Sequence, residues 1–114
     1  MSYEQKFLVA LFLTLIVEVP LVLFFVRYIY KHKNIGISNI IFIGILASAL
    51  TLPYLWFVLP TFISNQVAYQ IIGEFLVILI EASIYYKLLK LRPGRALLVS
   101  LVANIASIIF GFLL

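Results

Sequence analysis

Four long apolar runs, separated by three short links, decide what this 114-residue chain can fold into. Each run holds the roughly 20 residues that a helix needs to cross a bilayer, and they fall near residues 4–30, 37–59, 66–91 and 93–113. The hydrocarbon core offers no water to backbone N–H and C=O groups, so only helices and closed barrels satisfy a chain there. None of the runs alternates polar with apolar residues as a barrel strand does, which leaves helices. The composition agrees. With 66% hydrophobic and 11% charged residues and a mean hydropathy of +1.24, the chain lacks the charged exterior of a water-soluble domain. It reads as a single integral membrane domain over residues 1–114.

The links carry their own punctuation. KHKNIG (31–36) supplies turn material, and Ser38 offers one helix-start residue for the run at 37–59. PTFISN (60–65) opens on a helix-stopping proline and ends on Asn65, an N-cap candidate. LRPG (91–94) places Pro93 where the first turn of a helix tolerates it. Links this short make consecutive helices antiparallel, so the predicted fold is all-α, a four-transmembrane-helix up-down-up-down bundle. Lys6 ahead of an apolar run resembles a secretory signal, but Glu18, Pro20 and the aromatic continuation to Tyr30 do not fit a short h-region.

The cations sort by side. Arg27, Lys31 and Lys33 flank the first link and Lys87, Lys90, Arg92 and Arg95 the third, which leaves Lys6 alone at the other end. By the positive-inside rule, links 31–36 and 91–94 are expected to be cytoplasmic and both termini outside, in a multi-pass plasma-membrane protein whose main partner is lipid. This sorting accounts for the net charge of +4 without a nucleic-acid partner; contact with anionic headgroups is its other use. The chain has no cysteine, and His32 is its one histidine, so neither thiol chemistry nor a soft-metal site is expected. No phosphate loop, cofactor motif or nucleophile–base constellation is present, and no catalytic activity or cofactor is expected. Oxygen-only binding of a hard cation is chemically open, though no spacing demands it.

Chemistry concentrates in a few polar residues inside the apolar runs. Glu18, Glu74 and Glu81 stand where a charged side chain costs about 2.5 to 3.5 kcal/mol, so each must be neutral, paired or hydrated. Arg27 and Lys87 are candidates to reach back and pair with them. A seven-residue interval keeps Glu74 and Glu81 on one helical face. Helix four carries Ser100, Asn104, Ser107 and Gly111 as a stripe, and helix two carries Gly44, Ser48 and Thr51. Small residues let helices approach closely, and hydroxyls bond across the gap; the amide of Asn104 suits a carboxyl partner. Pro20 and Pro53 each leave a carbonyl without its usual donor, so a kink is expected beside Glu18 and beside Thr51. Tyr54, Trp56 and Phe57 at one end and Tyr28, Tyr30, Tyr85 and Tyr86 at the other fit interfacial belts.

Folding the sequence on itself aligns LASALTLPYLW (46–56) with VANIASIIFGF (102–112), so that Ala47 falls on Ala103, Ser48 on Asn104 and Thr51 on Ser107. Glu18 then matches Glu81 after a seven-residue change in spacing, and the two halves read as tandem helical hairpins in a parallel repeat. The pattern TLPYLW, GEFLVILIEASIYY and RALLVSLVANIASIIFG resembles that of small prokaryotic four-helix membrane proteins of uncharacterised activity. That resemblance covers about half the chain, implies the same four spans and draws attention to Glu74, Glu81 and Asn104, with no activity attached. Small multidrug-resistance transporters are similar in length and helix number only; their glutamate motif is not recognisable around Glu18. The expected function is translocation of protons or small cations through Glu18, Glu74 and Glu81 with Asn104, Ser48, Thr51 and Ser107, in a homo-oligomer or larger membrane complex. The competing expectation is a non-catalytic membrane scaffold that uses the same residues to lock helices together.

Overall fold

A computed structural model describes residues 2–31 and 35–113. His32 and Lys33, in the first link, lie outside the described residues. The chain is all-helical, with no strand among the described residues. Helix α1 (Tyr3–Phe24) runs into a π turn (Phe25–Ile29); α2 (Ile37–Pro53) runs into a second π turn (Tyr54–Val58) and a 3-10 turn (Leu59–Thr61). Helices α3 (Gln66–Leu88) and α4 (Pro93–Leu113) complete the bundle. Packing is cyclic: α1 lies on α2, α2 on α3, α3 on α4 and α4 on α1. All four helices are long and apolar enough to cross a membrane.

Helix boundaries follow local chemistry. Ser2 caps α1, accepting from the Gln5 amide while the Gln5 side chain accepts from the Ser2 amide, a reciprocal box that satisfies two donors otherwise left open. Asn65 caps α3 as expected, accepting from Val67 and Ala68, and Pro93 opens α4. Helix α2 starts at Ile37, where the run at 37–59 begins, with Gly36 in the cap position. One boundary falls short of expectation. Helix α3 stops at Leu88 rather than Leu91, because Lys90 turns to a φ of +56° and breaks the right-handed path. Lys31, just after the π turn of α1, does the same at +52°. Both exits bring apolar residues back inward: Leu89, Leu91 and Ile35 are buried.

The prolines act differently from one another. Helix α1 continues through Pro20, and its π turn comes five residues later; at Pro53 the α-helical register changes at once to the π turn. Along the bundle the interior has two characters. The end that gathers the basic link residues holds a continuous apolar core of Val22, Val26, Ile40, Ala47, Tyr85, Leu89, Ala96, Val99 and Ala103, with Ile35, Ile43 and Leu91 at its margin. There Arg27 donates to the Ile35 carbonyl, and the Arg95 guanidinium stands 4.8 Å from the centre of the Tyr30 ring. Burial pushes the Tyr30 hydroxyl up from its ordinary pKa, against the opposing pull of Arg95. The opposite half contains cavities instead. Outward faces are mostly apolar, as in the exposed column Leu8, Phe12 and Ile16 of α1; exposed Gln66, Gln70, Ser83 and Lys87 interrupt that of α3.

Candidate functional site

The polar stripes meet inside the bundle. The buried residues of α3 are Gly73, Val77, Glu81, Ala82 and Tyr85, all but Ala82 at the four-residue spacing of one helical side. Glu81 is 1% exposed and Glu18 2% exposed, from α3 and α1 respectively. Asn104 of α4 donates through Nδ2 to Glu81 Oε1 at 2.7 Å and to the Ser100 carbonyl at 2.8 Å. A carbonyl only accepts, so the second bond fixes which way the amide points. The first is therefore an N–H offered to the carboxyl group. Ser100 is itself tied to α3, donating to the Ile78 carbonyl at 2.7 Å.

Thr51 of α2 supplies the other side of Glu81. Its hydroxyl oxygen lies 3.2 Å from Glu81 Oε2, 2.9 Å from the Ala47 carbonyl and 3.4 Å from the Ser48 carbonyl. One hydroxyl has one proton to give. When Thr51 donates to Ala47, its lone pairs are open to a protonated Glu81; when it turns, it donates to the carboxylate. The contact thus survives either state of the acid. Glu18 faces the Glu81 carboxyl group and the Ser107 hydroxyl, while its Oε1, the Ser48 hydroxyl and the Tyr85 hydroxyl have no hydrogen-bond partner.

These groups surround a cavity of about 160 Å³ bounded by all four helices, with Glu18, Ser48, Thr51, Glu74, Glu81, Asn104 and Ser107 in its wall. A polar-walled space of that size has room for several waters. A second, more open vestibule of about 690 Å³ lies toward the 60–66 link. Leu55, Trp56, Glu74 and Ile108 line both spaces. Glu74, half-buried, therefore stands between them, about 10 Å along α3 from Glu81 by helical rise.

All seven residues singled out in the sequence thus line one cavity. No family model, curated protein or solved structure matches this chain. The site is read from its own chemistry.

Neither Arg27 nor Lys87 neutralises a glutamate: Arg27 is committed to Ile35, and Lys87 borders a separate surface hollow with Ser83 and Leu88. Both leave from the basic end, where the apolar core separates them from the acids. No group of three acids, histidines or cysteines is placed to hold a metal among the described residues. Sequence reasoning missed two phenols that shape the vestibule. Leu59 N–H bonds the Tyr54 carbonyl in the π turn, which leaves the Leu55 carbonyl without its α-helical donor; the Tyr69 hydroxyl donates to it. Pro60 has no N–H for the Trp56 carbonyl four residues earlier, and the Tyr3 hydroxyl donates to that one. Pro60 was the available signal, since a proline names the carbonyl it orphans.

Proposed function

We propose that this is a multi-pass membrane protein that moves protons, or a small cation of similar chemistry, through Glu18, Glu81 and Glu74. In this reading the helices run up-down-up-down as tandem hairpins, links 31–36 and 91–94 face the cytoplasm, and both termini lie outside. One observation carries the proposal: Glu74 borders both the open vestibule and the cavity that holds the Glu18–Glu81 pair. Intramembrane acids that face a polar space rather than lipid are the usual elements of ion and proton paths. Thr51, able to serve Glu81 in either protonation state, and the unpartnered oxygens of Glu18, Ser48 and Tyr85 support the same reading. Beyond the pair lies the apolar core, so passage requires that core to open, and an oligomer or larger complex is one way to provide the opening.

A second reading, the membrane scaffold, is favoured by a different fact: Glu81 already draws on both Asn104 and Thr51, which joins three helices. Purified protein in liposomes with an internal pH dye and an imposed potential separates the two. Translocation predicts flux above empty vesicles that falls about tenfold or more in Glu81→Gln and Glu18→Gln. Wild-type flux equal to that of empty vesicles, with Glu81→Leu losing assembly, would instead establish the scaffold.

A further inference from the structure

The vestibule has a chemistry of its own. Its wall contains one charged side chain, Glu74, and no lysine, arginine or histidine. Glu74 has neither a hydrogen-bond nor a charge partner among the described residues. The same wall holds the rings of Trp56, Tyr3 and Tyr69 and the neutral polar side chains of Ser64, Gln66 and Gln70. The two phenol hydroxyls are already spent on the Trp56 and Leu55 carbonyls, so neither Tyr3 nor Tyr69 needs to offer its O–H to a ligand, and what remains is ring surface. Trp56 is held in turn by Tyr3, at 5.1 Å between ring centres, and by Phe7, at 5.9 Å. Rings fixed this way lose little freedom when something binds against them.

We infer that the vestibule is a binding site for an organic monocation of the substituted-ammonium class. Ring faces attract positive charge, Trp most strongly, and the unpartnered carboxyl of Glu74 provides the counter-charge. A bare metal ion would leave most of the aromatic wall unused. An organic anion would meet Glu74 with no cation to offset it. The volume of about 690 Å³ falls inside the roughly 300–1,000 Å³ of small-molecule sites. The inference goes beyond translocation, because binding is read with no gradient and stands whether or not the Glu18–Glu81 pair carries flux.

Trp56 is the only tryptophan in the chain, so its fluorescence reports from the wall that the vestibule shares with the inner cavity. The purified full chain in detergent is titrated with benzyltrimethylammonium, with its uncharged isostere neopentylbenzene, and with benzenesulfonate. The expected result is saturable quenching by the ammonium compound only, competed by tetramethylammonium and not by sodium at equal ionic strength. Glu74→Gln is expected to weaken it about tenfold or more, and Tyr69→Leu to weaken it more than Tyr69→Phe. Helical content by circular dichroism confirms that each variant is folded. Quenching by neopentylbenzene equal to that by the ammonium compound would overturn the proposal, as would unchanged affinity in folded Glu74→Gln.

Discussion

The two halves of this bundle are built from the same four helices and have opposite interiors. At the basic end, small and branched residues such as Ala47, Ala96, Val99 and Ala103 interlock around Tyr85, and each is at most 1% exposed. At the other end, the same helices spread around a cavity and a vestibule lined by acids, amides and aromatic rings. The difference lies in what holds the helices together. The closed half relies on close contact between small residues, and the open half on hydrogen bonds between helices. The open half accordingly ties its helices through Tyr3 to Trp56, Tyr69 to Leu55, Thr51 to Glu81 and Asn104 to Glu81.

The sharpest way to break the comparison is to add the same bulk to each half. Ala47→Leu, in the closed core, is expected to cost about 1–3 kcal/mol by overpacking, whereas Ala10→Leu, which projects from the wall of the 160 Å³ cavity, should stay within about 0.5 kcal/mol of the parent protein. Unfolding midpoints in mixed micelles would measure both. Equal losses would mean the cavity half is as rigid as the core.

A smaller effect is expected at Gly73. A methyl group there would stand 2.5 Å from Leu55 Cδ1 and 3.1 Å from Leu59 Cδ2. Both are ends of flexible side chains, and Leu55 borders the cavities, so Gly73→Ala is expected to cost about 1 kcal/mol and to shift Trp56 emission as the adjoining wall moves. A methyl group on Gly44 would stand 3.3 Å from Val19 Cγ2 and 3.7 Å from Val19 Cα across the α1–α2 contact, so the valine side chain would have to give by a few tenths of an ångström. The smallest effect has the opposite sign. Lys90→Gly removes a left-handed lysine and should stabilise the fold by about 0.5–1 kcal/mol, which the same midpoints would register.

Much of this was legible in the sequence, for reasons that can be named. Four apolar runs and their punctuation gave the helices, because backbone satisfaction and segment length are local properties. The stripes Gly44–Ser48–Thr51 and Ser100–Asn104–Ser107 pointed inward because helical periodicity places them on one side, while Gly111, the last member of the second stripe, is exposed at the vestibule. The end of α3 was misplaced, since nothing in LKLRPG marks Lys90 as left-handed the way a glycine would. The expected neutralisation by Arg27 or Lys87 failed on distance along the axis: cations near the links cannot reach through a packed core to acids on its far side. The bonds of Tyr3 and Tyr69 lay beyond local reasoning, because Tyr3 is 53 residues from the carbonyl it serves.

The bond from Tyr3 to the Trp56 carbonyl also has a practical side. It exists because Pro60 withholds a donor, and it makes the first turn of α1 part of the vestibule rim. A bulky label attached at Ser2 would sit one residue from that rim and load the hydrogen bond that holds it. Reporters for this protein belong at the opposite end, where α3 turns into α4: Arg92 in the turn and Gly94 in the first turn of α4 are exposed, and a methyl group on Gly94 meets nothing within 4 Å.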